Sequence, residues 1–185
     1  VLEHCLDKFD CPKIVVCAPG DLDRVNGIIG EYPDTLTVMG GKTRAQSVAA
    51  GLKSAAGHKY VLIHDGARPN VSKTLIQKIM GQCALFGSAA PYINIKDTVI
   101  AAGGSGFAAP DRKTLRAVQT PQAFETAKII SAYQSAGGEF SDDSQVYAAA
   151  YGSCVYVTGE ENNYKITTPF DLAMFSGQFA GNARI

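Results

Sequence analysis

The stretch "YVLIHDGARP", residues 60–69, decides how the rest of the chain is read. Tyr60 to Ile63 have the length and residue types of a short buried strand. The run then ends in His64 and Asp65, followed by two small residues, Arg68 and Pro69. In open α/β sheets, ligands sit beyond the carboxyl ends of strands. A carboxylate there is costly if buried and unpaired, and it is well placed to hold a divalent cation. Magnesium takes one or two carboxylates and completes its shell with water and phosphate oxygens. Gly66 and Ala67 let a ligand approach the backbone, and Arg68 binds phosphate or pairs with Asp65. A structural Asp–Arg pair closing a turn accounts for these residues equally well.

Strand and helix patterns alternate on both sides of this stretch. Upstream lie a helical pattern at 1–9, a strand at 13–19, a helix from Asp21 as N-cap, a strand in "TLTVMGG" and a helix in "TRAQSVAAGLKSAA". Downstream come a helix after Ser72, a strand in "AAPYIN", helices at 125–136 and 142–151, a strand in "CVYVT" and a closing helix with Pro169 in its first turn. The alternation predicts one α/β domain over residues 1–185, with a mainly parallel sheet flanked by helices. Residues 94–118 break it. Their β-prone ends and Gly/Ala-rich middle predict a projecting hairpin arm. The "GGSG" within the arm lacks a following helix, so it reads as an arm tip and not a nucleotide loop.

Composition bounds the function. The chain has 185 residues, 46% hydrophobic, with 17 basic and 17 acidic side chains. A balanced charge gives no support for a nucleic-acid or anionic-membrane surface. No apolar run is long enough to span a bilayer, and no signal-peptide pattern opens the sequence. The five cysteines are scattered, without CxxC or histidine spacing for zinc, and read as free thiols in a reducing compartment.

Three further clusters carry charge or phosphate chemistry. "GGKTRAQS" (40–47) places two glycines, Lys42 and Arg44 at a helix start, where free N–H groups favour anions. Arg44 and Ser47 lie about one helical turn apart and can face one ligand; an ordinary Gly-containing turn explains the segment too. "DRKTLRAVQTPQAF" (111–124) carries Arg112, Lys113 and Arg116, and "ENNYKITTPFDL" (161–172) carries Lys165. A solvated face is the plain alternative for both. In "FSDDSQ" (140–145), Asp142 and Asp143 read as an N-cap with acids in the first turn.

In this order, "GGKTRAQSV", "IHDGARP", "IKDT", "DRKTLRAVQTPQAF", "SDDSQVY" and "NNYKITTPFDL" resemble the 2-C-methyl-D-erythritol 4-phosphate cytidylyltransferase family over nearly the whole chain. The resemblance implies a Rossmann-like nucleotidyltransferase fold and transfer of CMP from CTP to methylerythritol phosphate, with release of pyrophosphate. It implies Mg2+ as cofactor and Asp65 as its ligand. It further implies Gly41, Lys42, Arg44, Ala45, Ser47, Asp65, Gly66 and Ala67 at the nucleotide. Arg68, Thr98, Arg112, Thr120, Ser141 and Lys165 are implied at the substrate, with Arg112 and Lys165 catalytic. Members are homodimers whose arm, here about residues 94–118, crosses to the partner. The implied location is the cytoplasm, or the plastid in a plant-type source, with no nucleic-acid or membrane partner.

The sequence departs from the family pattern in places. Lys42 stands where many relatives carry an acid, Asn70 where Phe or Cys is common, and Ser141 where Thr is frequent. Members open with a strand and a Gly-rich, Arg-bearing loop that wraps the triphosphate, and the sequence as given starts at Val1 inside a helical pattern. It is therefore expected to begin partway through a natural protein and, as written, to have little transfer activity. Two alternatives stand beside the main reading. One is ribitol-5-phosphate cytidylyltransferase, which typically reads HDAVRP where this chain has HDGARP. The other is a non-catalytic, dimerisation-competent fragment.

Overall fold

A computed structural model of the chain describes residues 1–103, 106–137 and 140–182. Among the described residues, seven α-helices and nine strands alternate through most of the length, giving the α/β architecture read from the sequence. β1 (Lys13–Cys17) and β2 (Thr35–Met39) pair in parallel. A five-stranded sheet holds β3 (Tyr60–Ile63), β4 (Ser88–Asn94), β7 (Arg116–Val118), β8 (Gln122–Glu125) and β9 (Tyr156–Thr158). β3, β4 and β9 run in one direction. β8 runs antiparallel between β3 and β4, and β7 continues antiparallel along β4.

β8 carries no strand pattern of its own, because it is only four residues long. "QAFE" owes its strand conformation to neighbours on both sides and not to any local period. Alternate residues of the central strands face opposite layers. Ala89 and Ala123 pack under α4 (Lys73–Phe86) with Leu75, Ile79 and Cys83. Ala90 and Phe124 face the other way, toward α3 (Arg44–Ser54), α5 (Thr126–Ser135) and α6 (Asp143–Tyr151), against Leu52, Ile129, Val146 and Tyr147. All four sheet residues are fully buried, so the site is carried on the best-packed part of the molecule.

Helix starts are set by the residues expected. Thr43 caps α3 by accepting from Gln46 N–H, and Ser72 caps α4 by accepting from Leu75 N–H. Asp21 is a correction. It stands at the cap position of α2 (Leu22–Ile29) but makes no capping bond, and its carboxylate pairs instead with Arg24 at 3.2 Å. The arm holds the antiparallel pair β5 (Ala101–Gly103) and β6 (Gly106–Ala108), exposed throughout. Its tip residues Gly104 and Ser105 lie outside the described residues. The remaining helices are α1 (Leu2–Leu6) and α7 (Pro169–Asn182). Among the described residues, no helix is long and apolar enough to cross a membrane.

Candidate functional site

Asp65 leaves the end of β3 into a cluster of cations drawn from three segments. Lys165 Nζ lies 3.1 Å from Oδ2, Arg68 Nε 3.4 Å from the same oxygen, and Arg44 Nε 3.6 Å from Oδ1. Burial alone would raise the Asp65 pKa. The Lys165 hydrogen bond and charge, then Arg44 and Arg68, outweigh it and hold the carboxyl below its usual range. Asp65 is therefore an anion at neutral pH. The cluster still carries an excess of positive charge, with three cations against Asp65 and Asp143. That balance suits a polyanionic ligand.

The strand end is held from behind. The Asp65 N–H donates to Thr120 Oγ1 at 2.9 Å, and that hydroxyl also meets His64 Nδ1 at 3.1 Å. The Arg68 carbonyl next to Nε2 can only accept, so Nδ1 of the neutral ring accepts the Thr120 hydroxyl proton. The proton of His64 then sits on Nε2 and donates to the Arg68 carbonyl at 3.0 Å. Burial pushes the His64 pKa down to about 4, partly offset by the Arg68 carbonyl, so the ring is neutral. Thr120 was expected as a substrate contact. It is buried and its hydroxyl bonds the Asp65 amide and His64, so within this chain it supports Asp65.

The segment that carries Lys165 is clamped to this framework. Arg68 Nη1 donates to the Asn163 carbonyl at 2.9 Å, and Ile166 N–H donates to the Ala67 carbonyl at 2.8 Å. Buried Gln119 gives Nε2 to the carbonyls of Glu160 and Asn163 and accepts Glu160 N–H on Oε1. Gly159 is required here, since a Cβ on it would lie 2.4 Å from Gln119 Oε1. Buried Asn163 adds its Nδ2, bonded to the Thr120 carbonyl. Sequence reading missed Gln119, Asn163 and His64 as site residues. The available signal was their position inside the QTPQ, NNYK and HDGARP segments, with no chemistry of their own to mark them.

The 40–47 segment is self-satisfied. Gly41 N–H donates to Ser47 Oγ at 3.2 Å and Lys42 N–H to Gln46 Oε1 at 2.8 Å. Gly41 allows this closure, because a Cβ there would come within 2.4 Å of Gln46 Cβ. Arg44 and Ser47 do not meet at one point. Ser47 turns back to the Thr43 carbonyl, while Arg44 reaches Asp65 and, with both terminal nitrogens, Asp143. Asp143 does more than the sequence pattern shows. It lies in the first turn of α6 as read, and the structure adds that its carboxylate is fully buried against Arg44 and Tyr133. Asp142 alone caps α6, accepting from Ser144 N–H. Burial opposes the Arg44 charge, but the bonds and charge of Asp143, then Asp65, raise its pKa above the ordinary value.

The remaining sequence candidates lie elsewhere. Gly66 is exposed and receives the Cys5 thiol on its carbonyl at 3.2 Å, while Ala67 and Ala45 are half-buried near the cluster. Arg112 sits on the arm and donates to the Lys96 carbonyl at 2.5 Å. With Lys113, Arg116, Asn94 and Ile95 it lines a cavity of about 330 Å³. Thr98 is exposed on the same arm, and Ser141, also exposed, donates to Gln145 Oε1 at 3.3 Å. Within the single chain the structure brings Arg44, Asp65, Arg68 and Lys165 together and leaves Arg112 bonded within the arm. Among the described residues, no three His, Cys, Asp or Glu side chains are grouped to hold a metal ion. Asp65 fits a divalent cation as one ligand among water and phosphate oxygens, since Oδ1 has only Arg44 near it, at 3.6 Å.

Comparison with known proteins adds an independent line. The family model for 2-C-methyl-D-erythritol 4-phosphate cytidylyltransferase matches residues 1–178. The 2-C-methyl-D-erythritol 4-phosphate cytidylyltransferase of Geobacillus kaustophilus is 38% identical over 170 residues, covering 88% of this chain and 75% of that protein. The bifunctional enzyme IspD/IspF of Bradyrhizobium sp. (strain BTAi1) is 34% identical over 173 residues, 89% of this chain and 44% of that protein. The chain thus spans about half the length of the bifunctional relatives it matches. The crystal structure of 2-C-methyl-D-erythritol 4-phosphate cytidylyltransferase from Thermus thermophilus superposes with a TM-score of 0.81 at 35% identity, covering 96% of this chain and 87% of that one.

Proposed function

This chain belongs to the 2-C-methyl-D-erythritol 4-phosphate cytidylyltransferase family, and on that premise we propose that it transfers CMP from CTP to 2-C-methyl-D-erythritol 4-phosphate. The observation that carries the reading is the excess of fixed positive charge around a single carboxylate at a strand end. A phosphate attacking another phosphate must overcome repulsion between like charges. Cations already in place at the developing charge lower that barrier without reorganising during the reaction.

In the proposed step a phosphate oxygen of the alcohol phosphate forms a bond to the α-phosphorus of CTP. The bond from that phosphorus to the bridging oxygen breaks, and pyrophosphate leaves with the electron pair. Arg44 and the 40–47 segment face the nucleotide. Lys165, half-exposed at 42%, exchanges Asp65 for a phosphate oxygen and orients the attacking group. Arg68 stays locked between Asp65 and the Asn163 carbonyl and holds the Lys165 segment in place. Asp65 is the residue that would hold Mg2+, which when bound supplies charge neutralisation at the triphosphate.

The single-domain reading and the dimer belong to the same proposal. Arg112 is bonded within the arm, away from the Asp65 cluster, and a short hairpin has too little core to stand alone. Phe107 and Ile100 on the arm are 76% and 58% exposed, apolar area suited to a partner surface. The arm therefore packs on a second copy and delivers Arg112 and Thr98 to the neighbour's alcohol phosphate. The test is pyrophosphate release by the native full-length protein with CTP and magnesium. Release with methylerythritol phosphate is expected. Release with ribitol 5-phosphate instead, or with neither, overturns the assignment.

A further inference from the structure

Asp143 lies behind the Asp65 cluster and controls one of its members. Its carboxylate is 0% exposed and receives three donors: Arg44 Nη1 on Oδ1 at 2.9 Å, Arg44 Nη2 on Oδ2 at 2.6 Å, and the Tyr133 hydroxyl on Oδ1. Arg44 comes from α3, Tyr133 from α5 and Asp143 from α6, so three helices converge on one buried anion. The fork fixes the plane of the guanidinium, as paired N–H···O bonds do. It leaves the Nε edge turned toward the site, 3.6 Å from Asp65 Oδ1. That separation is longer than a hydrogen bond, whereas Lys165 closes on Asp65 at 3.1 Å. Asp143 is not needed for its own helix, which Asp142 already caps. Released from Asp143, the guanidinium would turn its fork on the Asp65 carboxylate, and the two charges would cancel in a closed pair.

We propose that Asp143, backed by Tyr133, is a positioning residue for the nucleotide: it holds Arg44 in an open geometry beside Asp65, with the Nε edge available to a polyphosphate. This rests on the reading of the Asp65 site as a CTP site. Three measurements on the full-length protein separate the two ideas. The Nε–Hε signal of Arg44 in NMR, identified by its loss in Arg44→Lys, reports the clamp without any ligand. Calorimetric binding of CTP without added metal reports the nucleotide, and binding of methylerythritol phosphate serves as the control.

Asp143→Asn keeps the shape but replaces one acceptor by a donor. It should shift or broaden the Arg44 signal, weaken CTP about tenfold, and leave the alcohol phosphate within about twofold. Tyr133→Phe should move the same quantities in the same direction by about twofold to threefold, and it keeps the test open if Asp143→Asn folds poorly. The double variant with Arg44→Lys should bind CTP no worse than Arg44→Lys alone, because the two residues act as one unit. An unchanged CTP affinity in Asp143→Asn with the Arg44 signal lost, or equal weakening of both ligands, would make Asp143 merely structural and overturn the proposal alone. Failure of the wild-type protein to bind CTP, with the Arg44 signal intact, overturns the underlying reading and this proposal with it.

Discussion

The Asp65 cluster and the arm both carry several cations, yet they hold them in opposite ways. Around Asp65 each cation has a carboxylate partner, and Arg68 and the Asp65 carboxylate are only 12% and 15% exposed. Their positions are fixed by bonds that cross long stretches of chain, from Thr120 to Asp65 and from Arg68 to Asn163. On the arm, Arg112 and Arg116 are exposed and bond only to nearby backbone carbonyls, those of Lys96, Lys113 and Leu115. The first region is preorganised within one chain. The second presents charge on a short hairpin whose apolar residues face solvent. Preorganisation is costly to remove, because a cation left without its carboxylate is stranded in a low-dielectric setting. An exposed cation contributes little to the fold.

The sharpest way to break this contrast is to remove the carboxylate that centres the preorganised region. Asp65→Asn should lower turnover about a thousandfold or more; it should also lower the melting temperature, since three cations lose their carboxylate, while the secondary structure and the cooperativity of the melt stay intact. Unchanged pyrophosphate release at saturating magnesium would show that the cluster is an ordinary ion-pair network. The second effect concerns stability and pH. The folded His64 titrates at about 4 against an ordinary 6.5, because burial disfavours its charge. Between those values the unfolded chain takes up a proton that the folded chain refuses. The contribution is complete above about pH 6.5 and is lost as the pH falls toward 4, at about 3 kcal/mol in all. Denaturant melts at pH 7 and pH 4.5 should differ by most of that amount in the wild type and by much less in His64→Gln. An equal acid loss in both would place the titrating group elsewhere.

The arm should respond differently. Arg112→Ala is expected to lower turnover about a hundredfold without moving the melting temperature. If the arm serves the neighbour's site, mixing Arg112→Ala with Asp65→Asn subunits should restore about a quarter of wild-type activity, since half of the dimers formed at random would carry one intact site. No restoration after verified subunit exchange would confine Arg112 to its own chain. The smallest expected effect is Phe107→Ser. At 76% exposure the side chain contributes little to the folded monomer, so the melt of the dissociated chain should stay within about 0.5 kcal/mol. Dimer dissociation, followed by sedimentation, should become about tenfold easier. A dimer indifferent to this change would move the interface off the arm.

Local pattern determined much about this protein. The alternation of 3.6-residue and 2-residue periods gave the α/β layering, and Thr43 and Ser72 announced α3 and α4 through caps that need only the next few residues. Asp65, Arg68 and Lys165 were legible as site candidates only through the family resemblance, because the local pattern fitted a structural Asp–Arg pair and a solvated face equally well. Tertiary structure alone decided the rest. β8 is a central strand only because β3 and β4 flank it. Thr120 is a support for the site because its hydroxyl lies between the Asp65 amide and His64, about 55 residues away in sequence. Asp143 looked like a helix-start acid, and its burial against Arg44 spans 99 residues. A periodic pattern encodes which face of an element is apolar. It does not encode which distant element will meet that face, and the partner of a buried charge is set by that meeting.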